Sequence, residues 1–97
     1  MTNQEMNIQE HPSSLLTFPC QYTIKIMGIN TEEFVPQVTA LIASLSDSFD
    51  PQANVAVKAS ANNKYLSISA TITAKSQEQL NQIYEALNNH ELVRITL

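Results

Sequence analysis

The chain has 97 residues, of which 43% are hydrophobic and 14% charged, and its formal net charge is −4. This length indicates one domain with a modest core, and the acidic balance argues against binding to nucleic acid or anionic lipid by phosphate neutralisation. The single cysteine, Cys20, excludes an intrachain disulfide framework and indicates a reducing compartment. Since neither an apolar run of membrane-spanning length nor a secretory signal pattern occurs, we expect a cytoplasmic protein without a membrane partner.

The N-terminal segment differs in composition from the rest of the chain. Residues 1–14 are polar, and their isolated apolar side chains show no sustained period. We therefore expect a flexible arm at 1–14 and a single domain at 15–97. Leu15, Leu16 and Phe18 should dock on the body of that domain, because clustered apolar side chains gain by leaving water.

A strand pattern opens the domain. Tyr22, Ile24 and Ile26 alternate with polar or flexible residues, and this period of two predicts a strand with those three side chains facing the core. The run ends on Gly28, the only glycine of the chain. We interpret Gly28 as a sharp turn toward the next helix or, alternatively, as a point where a ligand approaches the backbone.

A helix pattern follows this strand. Asn30 is predicted to cap it, with the side chain of Glu33 reaching back to the cap. Pro36 conflicts with a helix that starts at Thr31, so either a short turn precedes the helix or it begins near Val35. The predicted buried stripe consists of Phe34, Val38, Leu41 and Leu45, with Val35 and Ile42 beside it.

The second half of the chain predicts a hairpin, a helix and a last strand. Alternation at 54–60 and 65–74 predicts two strands, and Ala61-Asn-Asn-Lys64 suits a tight turn with a left-handed residue. Phe49 should anchor the loop before this hairpin. Ser76 and Gln79 form a capping-box pattern for a helix that ends near Asn88-Asn89-His90, with asparagine in the place of a terminal glycine. The last strand, 92–97, is predicted to point Val93, Ile95 and Leu97 inward and Arg94 outward.

The element order is strand, helix, strand, strand, helix, strand. This order predicts an α+β, ferredoxin-like βαββαβ sandwich with two helices on one face of a four-stranded antiparallel sheet. The first and third strands should lie in the middle, which leaves Val55–Ala59 as an edge guarded only by Lys58. Such an edge favours a homodimer.

A family pattern covers almost the whole chain after Leu15. It consists of Phe18-Pro19, Tyr22, Lys25 and Met27-Gly28, then Tyr65-Leu-Ser-Ile-Ser69, Thr71-Ile-Thr73, Ser76–Leu80, Ile83-Tyr84 and Val-Arg-x-x-Leu ending at Leu97. These residues resemble the YbeD-like family of small bacterial proteins of unknown function, whose fold is similar to the ACT regulatory domain. One departure is Asn62-Asn63, which stands where the family usually has a turn glycine.

The resemblance implies a candidate ligand site. ACT-like domains bind small effectors, often amino acids, near the loop that follows the first strand. The corresponding candidates here are Met27, Gly28, Ile29, Asn30 and Thr31. The resemblance thus implies a regulatory module that senses a metabolite, although fold alone is a poor guide to function.

Catalysis and metal binding find little support in the residue pattern. Cys20 would need a base, and only His11 and His90 are available, with nothing in the sequence that brings them together. Metal transport on this fold calls for two cysteines in a short loop, and the loop after the first strand has none. We therefore expect a protein that is not an enzyme and has no metal or cofactor.

The remaining hypotheses concern binding. An adaptor without a small ligand would use a sheet face carrying Lys25, Met27, Lys58, Tyr65 and Arg94 as its contact surface. An RNA-binding face is a weaker alternative, because the central strands present serine and threonine in place of base-stacking aromatic residues. We retain two main hypotheses, a non-enzymatic sensor of a small effector and a protein-interaction adaptor.

Overall fold

The computed structural model describes residues 16–97. The predicted arm, the boundary at residue 15 and His11 therefore lie outside the described residues. The elements are β1 (Cys20–Ile29), α1 (Phe34–Leu45), β2 (Val55–Ala59), β3 (Tyr65–Ala74), α2 (Gln77–Asn88) and β4 (Val93–Thr96). The four strands form one antiparallel sheet in the order β2-β3-β1-β4. This topology confirms the predicted ferredoxin-like sandwich, with the first and third strands in the middle.

The core lies between the two helices and one face of the sheet. Even-numbered residues of β1 and β3 point into it, because successive side chains of a strand alternate between faces. Phe49 anchors its loop in this core, as predicted. Leu16 and Phe18 dock against its margin, and the Phe18–Pro19 peptide bond is cis. The fully buried core side chains include Ile24, Ile26, Phe34, Val38, Ile42, Ile68, Ala70, Leu80, Ile83 and Leu87.

Gly28 does not form the predicted turn. β1 continues through Ile29, and the φ of Gly28 is not positive. Its Cα faces the core, where an added Cβ would lie 2.7 Å from Cζ of Phe34 and would also overlap the carbonyl oxygen of Leu92. The interpretation of Gly28 as a turn is therefore wrong, since a ring and a neighbouring backbone need the space that a side chain would fill.

The start of α1 resolves the conflict at Pro36. The helix begins at Phe34 after a turn in which the Phe34 N–H donates to the carbonyl of Thr31 at 3.2 Å. Pro36 then falls in the first helical turn, where its missing N–H would have no intrahelical acceptor. Asn30 does not cap the helix, because its side-chain amide donates to the carbonyl of Asn63. The predicted cap is wrong, and the predicted turn before the helix is confirmed.

The β2–β3 hairpin turn has the predicted left-handed residue. Asn63 has a φ of 61°, and it is the one described non-glycine residue with a positive φ. Asn62 stabilises the turn because its side-chain oxygen accepts hydrogen bonds from Ser60 Oγ at 2.9 Å and from the Lys64 N–H at 3.1 Å. The two asparagines therefore meet the conformational need that glycine meets in many hairpin turns.

The predicted capping box at α2 forms in part. Ser76 Oγ accepts from the Gln79 N–H at 3.0 Å, as expected of an N-cap. The side chain of Gln79 reaches past Ser76 and accepts from the Lys75 N–H at 2.7 Å, while its amide donates to the Leu45 carbonyl at 3.0 Å. At the other end the helix stops at Asn88 as predicted, but Asn89 has a φ of −92° and is not left-handed.

The direction of β4 differs from the prediction. Val93 is buried, whereas Ile95 is 49% exposed and Leu97 is 71% exposed. The register between β1 and β4 shifts between Met27 and Gly28, so that Val93 lies opposite Gly28 but Ile95 lies opposite Met27. This irregularity moves Ile95 and Leu97 to the face without helices, and the prediction that both point inward is wrong.

The edge strand β2 is largely exposed. Val57 lies opposite Ile68 and so faces the helix side, yet it is 47% exposed. The predicted edge position of β2 is confirmed, while a homodimer through this edge stays a prediction.

Each helix has 12 residues, and within residues 16–97 no helix is long and apolar enough to cross a membrane.

Candidate functional site

The sheet face opposite the two helices is the candidate site, and we call it the open face. Residues on adjacent strands line up across it in rows, because directly opposite residues project their side chains to the same side. One row runs from β2 to β4 through Lys58, Ser67, Met27 and Ile95. The next row consists of Ala56, Ser69, Lys25 and Leu97, with Leu97 bonded to Lys25 by two backbone hydrogen bonds of 2.8 and 3.1 Å.

Exposed apolar side chains concentrate on this face. Four large hydrophobic residues are exposed in the described chain, and three of them, Tyr65, Ile95 and Leu97, lie on the open face. Met27, between Ser67 and Ile95, adds a half-buried thioether to the same surface. Single exposed apolar residues are ordinary on protein surfaces, and a group of them on one sheet face is a candidate contact surface.

The charges of the domain are segregated between its two sides. The four strands contain the cations Lys25, Lys58 and Arg94 and no aspartate or glutamate. The acidic residues of the described chain lie on helices or in loops; they are Glu32, Glu33, Asp47, Asp50, Glu78, Glu85 and Glu91. The described residues form one ion pair, between Lys75 and Asp47 on the helix side. The open face is therefore locally cationic in a chain that is acidic as a whole.

A cleft of about 410 Å³ lies at the hairpin end of the open face. It exists because the small side chain of Ser67 is surrounded by the longer side chains of Lys58, Met27 and Tyr65. The remaining lining comes from Ala59, Ser60, Ala61 and Leu66. The accessible surface of the walls is thus mostly apolar, and Lys58 is the one charged residue among the described lining residues.

The predicted effector residues do not form one surface. Met27 and Ile29 lie on the open face, whereas Gly28 is buried against Phe34 on the helix side. Asn30 is exposed and bonded to Asn63, and the Thr31 hydroxyl is buried without a hydrogen-bond partner in the described chain. Because β1 continues to Ile29, successive side chains point to opposite faces of the sheet. Met27, Gly28 and Ile29 therefore do not share one surface, as residues of a loop could. Effector binding at these residues stays a prediction.

The predicted interaction residues are brought together more closely. Lys25, Lys58 and Tyr65 all lie on the open face. Arg94 lies at the β4 irregularity, and its Nη1 donates to the carbonyls of Glu91 at 2.7 Å and Val93 at 3.4 Å. The guanidinium therefore lies along its own strand. Sequence reasoning missed Ile95 and Leu97, because the register shift that exposes them leaves no pattern in the sequence.

Cys20 and His90 lie at opposite ends of the sheet. Cys20 opens β1, whereas the carbonyl of His90 accepts from the N–H of Val93, which lies opposite Gly28. Eight residues of extended strand separate those ends by roughly 25 Å. His90 Nδ1 accepts from the Leu92 N–H at 3.1 Å. Among residues 16–97, no three His, Cys, Asp or Glu side chains are grouped as a metal site would require.

Two tyrosines pack beside the last strand on the helix side. Tyr84 Oη donates to the carbonyl of Leu97 at 3.1 Å. Burial raises the pKa of Tyr84 well above its ordinary value of 10, and a hydrogen bond and charge repulsion with Tyr22 raise it further. The phenol therefore stays neutral and acts as a structural hydrogen-bond donor.

The element order and the strand order define a small α+β protein of the ferredoxin-like class. The family described as "Protein of unknown function (DUF493)" matches residues 13–97. The chain belongs to this family, and the resemblance to YbeD-like proteins is confirmed. This chain is 37% identical over 84 residues to a UPF0250 protein of Nitrosomonas europaea, and the match covers 87% of this chain and 95% of the relative.

Other bacterial relatives show the same extent of similarity. A UPF0250 protein of Photorhabdus laumondii is 41% identical over 86 residues, which cover 88% of this chain and 94% of the relative. A UPF0250 protein of Bordetella pertussis is 37% identical over 84 residues, covering 87% and 91% respectively. The similarity thus extends over nearly the full domain and carries no assigned activity.

Proposed function

We propose that this chain is a non-enzymatic interaction module that binds an acidic protein surface on its open face. The observation that carries the proposal is the coincidence, on that face, of exposed apolar side chains and strand lysines that form no ion pair within residues 16–97. Ile95, Leu97 and Tyr65 supply apolar contact area, and Lys25 and Lys58 supply charge. Apolar contact provides most of the free energy of association, while complementary charge steers and selects the partner.

The charge distribution supports an anionic partner. A cationic partner would be attracted to the acidic helix side and repelled by Lys25 and Lys58. Because the chain has a net charge of −4, its overall field repels an acidic partner, and the cations of the strands make the open face more favourable for such a partner than the acidic helix side. Both effects favour one orientation, in which the open face meets the partner.

RNA is another anionic macromolecule that would match the positive charge of the open face. The side chains on that face favour a protein partner over RNA. Tyr65 is the one aromatic residue on the open-face side of the described strands, whereas sheets that bind RNA stack several bases on aromatic residues. Ile95 and Leu97 offer aliphatic surface that RNA bases do not require. We therefore propose a protein partner and treat RNA as an outcome of the test.

The experiment places a photoreactive benzophenone amino acid at Ser69, in the middle of the open face, in the full chain expressed in the cells from which it comes. A matched control places the same group at the exposed Glu85 on α2. We expect a discrete protein adduct from position 69 that is absent from position 85. A second variant carrying Ile95→Asp should fold normally, since Ile95 is exposed, and should lose the adduct.

Three results would contradict the proposal. They are an adduct that forms only from position 85, an adduct that nuclease digestion shows to be nucleic acid, and an adduct that persists undiminished in the Ile95→Asp variant. An adduct with a second copy of this chain would support the proposal in a self-associating form if the cross-linked peptide of that copy lies on its acidic helix side, and would contradict the proposal if it lies on the open face.

A further inference from the structure

We propose that the cleft at the hairpin end of the open face binds a small amphipathic carboxylate, with an aromatic or aliphatic body on Met27 and Tyr65 and its carboxylate at Lys58. This inference deepens the proposed function and rests on it in one respect, the use of the open face for binding. It names a ligand class for a site that shares only Met27 with the candidate residues implied by the family resemblance.

The shape of the cleft fits a small molecule. Its volume of about 410 Å³ lies within the range of ordinary small-ligand sites. Ser67 forms its floor, and Lys58, Met27 and Tyr65 form its walls. This arrangement follows from the register, which sets a small side chain between long ones on both neighbouring strands.

The lining chemistry selects an apolar body. Tyr65 is 42% exposed, so much of its ring can be covered by a ligand. Met27 offers a thioether, and sulfur–aromatic contacts together with ring stacking favour a planar aromatic body. Ala59 and Leu66, which lie opposite each other, project their side chains to the helix side, whereas Ala61 adds a further apolar side chain at the hairpin. Transfer of an apolar ligand from water onto these groups is favourable.

The charge of the cleft selects a carboxylate. Lys58 is the one charged residue in the part of the lining that residues 16–97 provide, and it takes no part in the ion pair between Lys75 and Asp47. A carboxylate would accept a charge-assisted hydrogen bond from the ammonium group, which is stronger than a bond between neutral groups. The hydroxyl groups of Ser67 and Tyr65 can donate to the same anion, whereas the Ser60 hydroxyl already donates to Asn62.

The same lining disfavours free amino acids. An amino acid brings an ammonium group as well as a carboxylate, and among residues 16–97 no carboxylate side chain lines the cleft to receive it. That ammonium would lie close to Lys58 and would be repelled by it. The structure thus leads to a ligand class different from the amino acids that ACT-like regulatory domains often bind.

The test uses 3-phenylpropanoate as the probe, with the full chain and amide NMR detection. The matched ligands are 3-phenylpropanamide, which lacks the charge, and L-phenylalanine, which adds an ammonium group. For a probe of about eleven non-hydrogen atoms we expect a Kd of about 0.1–1 mM. Chemical shifts should change at Met27, Lys58–Ala61 and Tyr65–Ser67, and both matched ligands should bind at least about fivefold more weakly.

Two pairs of variants make the test specific. Lys58→Gln should weaken binding about tenfold, while Lys64→Gln, the same charge change on the hairpin turn outside the cleft lining, should leave it within about twofold. Ser67→Leu should fill the cleft floor and abolish saturable binding. Thr73→Leu, at the far end of the same strand and face, should leave binding unchanged.

The inference is overturned if the probe causes no saturable shifts at about 10 mM, or if the amide or L-phenylalanine binds as tightly as the carboxylate. Unchanged affinity in Lys58→Gln or Ser67→Leu would also overturn it. The proposed function is tested separately, because the cross-link from position 69 needs no small ligand. If the probe does not bind in the cleft, the cross-link from position 69 can still form. If no cross-link forms, the titration of the purified chain can still show binding in the cleft.

Discussion

The side-chain amide of Asn30 donates a hydrogen bond to the backbone carbonyl of Asn63 across 2.8 Å, although 33 positions separate the two residues in the sequence. A second bond of 3.2 Å runs from the Asn30 N–H to the carbonyl of Lys64. These two bonds tie the loop after β1 to the β2–β3 turn, directly beside the cleft. The loop that the family resemblance implied as a ligand site therefore stabilises the hairpin.

Asn30→Ala should destabilise the domain by about 0.5–1.5 kcal/mol, because it removes the side-chain bond while the backbone bond remains. Urea unfolding followed by circular dichroism would measure the change. Asn89→Ala is the matched control, since this exposed residue makes no side-chain hydrogen bond in the described chain and should change stability by less than about 0.5 kcal/mol. Equal stability of the two variants would show that the side-chain bond of Asn30 does not stabilise the fold.

Gly28→Ala should destabilise the fold by about 1–3 kcal/mol through overpacking. The added methyl group would meet the ring of Phe34 and the carbonyl oxygen of Leu92. In a Phe34→Leu background the same substitution should cost less, since part of the opposing ring is gone, and thermal melts of the four combinations would give the coupling. Strict additivity would contradict the packing role assigned to Gly28.

Asn63→Gly should leave stability within about 0.5 kcal/mol of the natural chain, whereas Asn63→Ala should lower it by about 1 kcal/mol. Asn63 has a φ of 61°, which glycine and asparagine tolerate and alanine disfavours. Chemical denaturation of the two variants is the measurement. A loss in the glycine variant as large as in the alanine variant would mean that the Asn63 side chain itself is required.

Tyr84→Phe should change how stability depends on pH above 10. The raised pKa means that the folded state resists ionisation of Tyr84 while the unfolded chain ionises near its ordinary value of 10. The unfolded state then binds fewer protons, so the free energy of unfolding falls as pH rises through 10, by at most about 1.4 kcal/mol per pH unit for this group. Below pH 10 the phenol is neutral in both states and adds no slope.

The phenylalanine variant should lose this part of the alkaline slope. It should also lose about 0.5–1.5 kcal/mol at neutral pH, because the hydrogen bond from Tyr84 to the Leu97 carbonyl disappears. Urea unfolding at pH 7, 10 and 11 would separate the two effects. Identical alkaline slopes in the natural chain and the variant would contradict the burial of this hydroxyl.

Local patterns were sufficient to predict the topology. The alternation in β1 and β3, the helical stripes ending in Leu45 and Leu87, and the asparagine turn at residue 63 each depend on neighbours within a few positions. The order of these elements then leaves few arrangements, because sequential strands pair and crossover connections have a fixed hand. The predictions of the central strands and of the anchor Phe49 succeeded for the same reason.

The features that the sequence did not predict depend on contacts between distant parts of the chain. The packing of Phe34 over Gly28 and the register shift that exposes Ile95 both arise where β1, α1 and β4 meet. Asn30 has the right side chain for a helix cap, but a carbonyl from the hairpin competes for it. The cleft likewise arises only when Lys58, Ser67 and Met27 align across three strands.

The measurement that tests the central claim most directly is the affinity of the purified chain for the cross-linked partner protein, determined by calorimetry for charge-reversal variants. Lys25→Glu on the open face should weaken binding at least about tenfold, and the loss should shrink at high salt. Lys75→Glu, the same reversal on the helix side, should leave affinity within about twofold. Equal affinities in the two variants would contradict the assignment of the open face as the binding surface.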